Sequence, residues 1–183
     1  MRKALIIIDM QNDFITGALA NEEGQKIVPK IADFAEKFDG DIIATMDTHG
    51  GDYLATQEGR KLPVPHCIED TEGWKIVPDI QKVLDKKLEF AHASYTKPYI
   101  VDKIKKYTFG SNLLAVDVSR RRYDEVLLCG VCTDICVISN AMMIKALAPE
   151  TKITVLKDLC AGVTPESHET ALKAMAACQI EIA

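Results

Sequence analysis

The chain is short of positive charge, of membrane-length apolar runs and of repeated segments, and each shortage removes a class of function. Its 183 residues carry a formal net charge of −5, which offers no general attraction to nucleic acid or to an anionic membrane. Lys103, Lys105, Lys106 and Arg120 to Arg122 make local basic spots that read as solvated faces. No apolar stretch approaches the about 20 residues that a membrane span requires. The N-terminal MRKALIIIDM has a brief apolar run that closes on Asp9 without a small-residue cleavage site, so no secretory signal is expected. The six cysteines then read as reduced thiols of a cytoplasmic protein and not as a disulfide framework. The one tryptophan, Trp74, follows a glycine and reads as a plug over a loop.

What is present is apolar patterning suited to a substantial core. With 48% hydrophobic residues and no internal repeat, a single domain spanning residues 1–183 is expected. Continuous apolar runs at Ala4–Ile8, Asp41–Met46, Val126 onward and Ile153–Leu156 have the character of strands covered on both faces. Between them lie helical patterns over Glu22–Phe38, where Pro29 fits only near the first turn, and over the segment beginning at Trp74, where Pro78 stands near the start. A short helix is expected over Asn112–Val118, a loop over Asp158–Gly162, a helix capped by Thr164 with Pro165 at its first position, and an edge strand over Gln179–Ile182. Strand–helix alternation of this kind predicts an α/β fold, a mostly parallel sheet with helices on both faces.

The chemistry centres on VLLCGVCTDICV, Val126 to Val137. A branched apolar run breaks at Gly130, passes through small and polar residues, and resumes at Cys136 with good helix formers up to Pro149. Cys136 is therefore expected in the first turn of a helix, where the dipole and unpaired N–H groups lower a thiol pKa. It is the candidate nucleophile, although a cysteine among apolar residues is also a common core residue. Cys129 and Cys132 have C-x-x-C spacing, so a non-catalytic thiol site is an alternative. Asp9 and Asp47 each close a strand, which points both acids to the edge of the sheet where such folds place ligands. Around Asp47 lie His49, Glu58 and His66, nitrogen and oxygen donors suited to Zn²⁺, with Mn²⁺ or Fe²⁺ also compatible. Their spacing alone is a weak signal.

GVCTDICV and the Asp9–Phe14 stretch, of the form D-x-Q-N-D-F, resemble the active-site segments of the nicotinamidase/isochorismatase-like cysteine hydrolases. The resemblance runs over almost the whole chain. It implies Cys136 as nucleophile, Asp9 as general base, Phe14 as a wall of the substrate pocket, and Asp47, His49 and His66 as metal ligands with Glu58 where some members place a fourth. It implies a cis peptide at Val131–Cys132, and oxyanion-facing N–H groups at Cys132 and Cys136. It also requires a lysine near the acid and thiol. KYTFGS nominates Lys106, with Lys103 and Lys97 as alternatives. Many nicotinamidases have an aromatic residue where this chain has Pro63, leaving the second wall of a pyridine pocket unassigned. The resemblance implies hydrolysis of nicotinamide to nicotinate and ammonia through a thioester, with one divalent metal holding the pyridine nitrogen. Alternatives are hydrolysis of another small amide or vinyl ether, or binding without catalysis. The expected partner is a small-molecule substrate, with no nucleic acid and no membrane, and homo-oligomer formation is open.

Overall fold

The computed structural model describes residues 1–93 and 99–183. Its six strands are β1 (Lys3–Ile8), β2 (Asp41–Asp47), β3 (Val101–Lys106), β4 (Glu125–Val131), β5 (Lys152–Ala161) and β6 (Glu181–Ile182). They form one sheet in the order β3-β2-β1-β4-β5-β6, with every neighbouring pair parallel. Ala4 to Ile8 of β1 are at most 1% exposed, as a central strand covered on both faces demands. Helices α2 (Glu22–Lys37) and α4 (Pro78–Ala93) pack together in one layer. Helix α6 (Ile138–Leu147) packs between α5 (Asn112–Arg121) and α7 (Pro165–Ala177) in the other. The right-handed rule for parallel crossovers places these layers on opposite faces, because the chain moves outward from β1 through β2 to β3 and then in the other direction from β4 to β6. The direction reverses between β1 and β4, the place where an open α/β sheet leaves a crevice beyond its strand ends. Among the described residues no helix is long and apolar enough to cross a membrane.

Two expectations from the sequence are corrected here, and two short helices are added. Helix α2 continues past Pro29, which lies inside it, instead of holding that residue in the first turn. Pro29 lies on the exposed face, where its ring meets solvent and not the packed core. The loop expected over Asp158–Gly162 is largely strand: β5 continues to Ala161 because a register shift opposite Leu128 and Gly130 lets Cys160 and Ala161 pair onward with β4. The loop after β1 contains one helical turn, α1 (Asn12–Ile15), and the loop after β2 contains another, α3 (Gln57–Lys61). Such single turns lie below the length at which apolar periodicity is visible.

Candidate active site

Asp9 ends β1 at the reversal point with φ of 50°, a conformation unfavourable for a non-glycine residue and costing about 1–3 kcal/mol. Thr45 of β2 holds it there. The Thr45 hydroxyl donates to Asp9 Oδ1 at 2.7 Å, and the Asp9 backbone N–H donates to Thr45 Oγ1 at 3.1 Å. Lys106, the last residue of β3, brings its ammonium 2.7 Å from Asp9 Oδ2, 3.0 Å from Asp47 Oδ1 and 3.5 Å from Cys136 Sγ, and donates to the Thr108 carbonyl at 3.1 Å. All of this is shielded: Asp9 is 0%, Lys106 2% and Cys136 6% exposed. Burial pushes the Asp9 carboxyl above its ordinary pKa, with the Lys106 charge pulling the other way. Burial opposes charge on Lys106 too, but Asp9, Cys136 and Asp47 hold its pKa well above the usual value. The ammonium stays charged.

Cys136 departs from expectation in two respects. It does not open a regular α-helix. Thr133–Val137 form a wide helical turn before α6 begins, with the Cys132 carbonyl accepting from Ile135 N–H at 3.1 Å and Val137 N–H at 3.0 Å. Nor is its pKa lowered. Burial pushes the thiol well above its ordinary value, the neighbouring Asp9 carboxylate adds to the rise, and Lys106 pulls against it. Desolvation of a sealed thiol outweighs the helix-end dipole. The Val131–Cys132 peptide is cis, as the resemblance implies. Gly130, just before it, has φ of 119°, and a Cβ there would fall 2.1 Å from the Ile8 carbonyl oxygen, so only glycine lets β4 run this close to β1. Asn140 of α6 donates to the Cys136 carbonyl at 2.8 Å and to the Phe109 carbonyl at 3.1 Å, and accepts from Ser111 N–H at 2.9 Å. This buried amide joins the thiol-bearing turn to the loop after Lys106.

The second cluster adjoins the first through Asp47. One oxygen of this carboxylate faces Lys106, and the other lies 3.0 Å from His49 Nε2 and 3.7 Å from His66 Nε2. Glu58 Oε1 stands 3.7 Å from His49 Nε2 and 3.9 Å from His66 Nε2, and the four donor atoms all lie within 4.8 Å of one another. Tetrahedral coordination with bonds of about 2.0–2.2 Å separates donors by roughly 3.3–3.6 Å, so these spacings fit a metal ion with little adjustment. The His66 tautomer fits as well. Its Nδ1 lies 2.8 Å from the Val64 carbonyl, which can only accept, so Nδ1 carries the proton and Nε2 offers its lone pair to the cluster. Burial would raise the Asp47 carboxyl, but the His49 and His66 imidazoles beside it and the Lys106 charge outweigh burial and hold the group well below the carboxylate range.

Several supporting side chains escaped the sequence reading. Gln11 lies in the D-x-Q-N-D-F motif and clamps the end of β2: its amide donates to the Asp47 and Trp74 carbonyls at 2.9 and 2.7 Å and accepts from Asp47 N–H at 2.7 Å. Asp13 accepts from Cys67 N–H at 2.8 Å and so anchors the residue after His66. The Tyr53 ring sits 4.6 Å from that of His49 and 5.0 Å from that of His66, with its hydroxyl donating to Leu62, while Phe14 meets His66 edge-on at 5.5 Å. Nothing in the spacing of Thr45, Asn140 or Tyr53 marked them.

The remaining candidates lie elsewhere. Lys103 Nζ donates to Gln81 Oε1 at 2.8 Å on the surface, and Lys97 lies outside the described residues. Trp74 donates its indole N–H to Thr48 Oγ1 at 2.9 Å beneath Lys105. Cys129 is sealed in β4 with its thiol near the Ile6 carbonyl, and among the described residues the cluster suited to a metal contains no cysteine.

Known proteins share this arrangement of sheet and loops. A nicotinamidase/pyrazinamidase of Mycobacterium tuberculosis is 32% identical over 190 residues, covering 98% of this chain and 97% of the relative. The crystal structure of a nicotinamidase/pyrazinamidase from Bacillus subtilis superposes with a TM-score of 0.76 at 28% identity, covering 100% of both chains. That of a Pyrococcus horikoshii pyrazinamidase in complex with zinc does so with a TM-score of 0.74 at 29% identity, covering 100% of this chain and 99% of the other. The isochorismatase domain model matches residues 3–183, so that Asp9 after β1, Asp47 at the end of β2, His66 in the loop beyond it and the turn with Cys136 all fall within one family pattern. The chain belongs to the isochorismatase domain family.

Proposed function

We propose that the protein is a metal-dependent cysteine amidohydrolase that converts nicotinamide to nicotinate and ammonia. The observation that carries the reading is the position of the Lys106 ammonium, which touches Asp9, Asp47 and Cys136 at once and so joins an acid–thiol pair to a four-donor metal cluster. Nicotinamidase and pyrazinamidase relatives over nearly the full chain support the same substrate class.

In this mechanism the Asp9 carboxylate takes the Cys136 thiol proton as the sulfur attacks the carboxamide carbon. A sealed, neutral thiol suits this, because the proton moves only once an electrophile is in place. Lys106 stays charged and stabilises carboxylate and thiolate in turn. The tetrahedral oxyanion faces the backbone N–H groups of Cys132 and Cys136 in the wide turn. Asp9 returns its proton to the departing nitrogen, which leaves as ammonia. Asp9 then takes a proton from water as that water attacks the thioester and passes it to the departing Cys136 sulfur, which restores thiol and carboxylate, while the acid product ionises to nicotinate. Asp47, His49, Glu58 and His66 would hold the metal, which when bound supplies a Lewis-acid site for the pyridine nitrogen and so orients the ring. Zinc is favoured by the donor set and by the zinc complex of the Pyrococcus relative. Phe14 forms one wall of the pocket, and the reduced thiols suit a cytoplasmic enzyme.

The test measures ammonia and nicotinate together in protein stripped of metal and then restored with zinc, manganese or iron(II), with bound metal quantified separately. The reading expects equimolar products only from the restored protein. Stoichiometric metal without turnover of nicotinamide or pyrazinamide would overturn it.

A further inference from the structure

The wide turn that carries the thiol is strapped from outside the sheet by two side-chain bonds that the mechanism above does not use. Thr133, fully buried at the head of the turn, places Oγ1 2.8 Å from Nδ1 of His168 on α7. Its neighbour Asp134 accepts from Val163 N–H at 3.0 Å through Oδ1. Both straps come from the segment that leaves β5 and begins α7, and that segment is itself well fixed. Thr164 and Ser167 form a capping box, Pro165 occupies the first turn, and Asn21 donates to the Gly162 carbonyl at 2.8 Å. His168 therefore projects from the first turn of a helix whose start is set by its own sequence, and it meets the hydroxyl two residues after the cis bond.

We propose that His168 is a positioning residue for hydrolysis, acting through Thr133 to hold the turn that aims the Cys136 thiol and the oxyanion-facing N–H groups. This rests on the amidohydrolase reading of the same site. The imidazole does not touch substrate in this role. Its work is to give the buried Thr133 hydroxyl a fixed partner, since without one the hydroxyl must turn toward the backbone of the very turn it heads. Oxyanion donors act only when preorganised, and displacement of reacting groups by about 1 Å lowers rate by on the order of a hundredfold. Gly162 belongs to the same device. A Cβ there would lie 2.9 Å from the His168 Cβ and 3.0 Å from its Cα, so the close approach of the β5–α7 connection to His168 requires glycine.

The test compares His168→Ala, His168→Asn, His168→Gln and Thr133→Val, with kcat and KM for nicotinamide and hydrogen exchange of the peptide spanning residues 131–138. Asparagine places a polar atom where Nδ1 stands, whereas the longer glutamine places it near Nε2. The inference expects His168→Ala and Thr133→Val each to lower kcat about tenfold to a hundredfold with KM within about twofold, and to speed exchange in the turn. His168→Asn restores kcat and His168→Gln does not. The double variant His168→Ala with Thr133→Val falls no lower than either single one. Unchanged kcat and unchanged exchange in His168→Ala overturn the inference, as does equal loss in the Asn and Gln variants. If the parent protein hydrolyses no amide, the amidohydrolase reading fails on its own. The exchange data with Asn rescue then still decide whether His168 orders the turn.

Discussion

Thr45→Val removes one hydroxyl and almost nothing else, which makes it a sharp probe of how Asp9 is held. The Thr45 oxygen donates to Asp9 Oδ1 at 2.7 Å and accepts from Asp9 N–H at 3.1 Å, and both residues are fully buried. Valine fills the same volume but leaves a carboxylate oxygen and a backbone N–H without that partner. A bond to a charged acceptor contributes about 1.5–3 kcal/mol and an orphaned buried donor costs about 1–3 kcal/mol, so the expected loss of stability is about 3–5 kcal/mol. For a chain of this size that lowers Tm by on the order of 10 °C. The hydroxyl also holds the Asp9 pKa down. Its loss raises that pKa further, so the carboxylate form of the base is lost at a higher pH as the solution is acidified. The acidic limb of kcat/KM should move toward neutrality, with activity at its optimum lower by about tenfold or more, while Thr45→Ser keeps the limb in place. Calorimetry and a pH–rate profile measure both effects. A Thr45→Val protein with wild-type stability and an unmoved acidic limb would refute the claim that this hydroxyl seats the base.

Cys136→Ala should retain one divalent metal per chain, measured by elemental analysis, and form no nicotinate, because the sulfur is not among the four donors. Lys106→Met leaves Asp9 and Asp47 facing each other without their shared cation, and should destabilise the fold by about 3–5 kcal/mol as well as abolish measurable turnover. In metal-free protein, alkylation of Cys136 by iodoacetamide should rise with pH through a midpoint above that of an ordinary thiol, about 8.5, because a raised pKa delays formation of the thiolate. A midpoint below that value would restore the dipole-activated thiol expected from the sequence. Gly130→Ala should fail to give folded protein on expression, whereas Gly51→Ala, whose added methyl meets nothing within 4 Å, should behave as the parent chain does.

The parts of the fold visible in the sequence were those whose burial is two-sided and continuous. ALIII and DIIATM cannot be other than covered strands, and their terminal acids followed directly. The strand that became β3 had no clear register in the sequence because four of its six residues are charged, and only the last, Lys106, turns inward to the site. It was nominated by the likeness of KYTFGS to a family segment, since no periodicity separates Lys106 from Lys103. The donor set at Asp47, His49, Glu58 and His66 was readable as residue types but not as a cluster, because convergence depends on how the loop after β2 folds back. Thr45, Asn140 and His168 were invisible for a different reason. Each acts through tertiary hydrogen bonds that reach residues 29 or more positions away, and nothing local records such bonds. The π-type turn at Thr133–Val137 was misread because the good helix formers that follow it suggest a regular helix from Cys136 onward, whereas the Cys132 carbonyl collects two N–H groups and widens the turn.

The central claim is that the sulfur of Cys136 becomes covalently bonded to the acyl carbon of the substrate. Acid quenching of the metal-loaded enzyme during nicotinamide turnover, followed by tandem mass spectrometry of the peptide containing Cys132 and Cys136, tests it most directly. The account expects a nicotinoyl adduct on Cys136, absent from Cys132 and absent without substrate. Steady nicotinate release with no acyl adduct, together with retained turnover in Cys136→Ala, would contradict it.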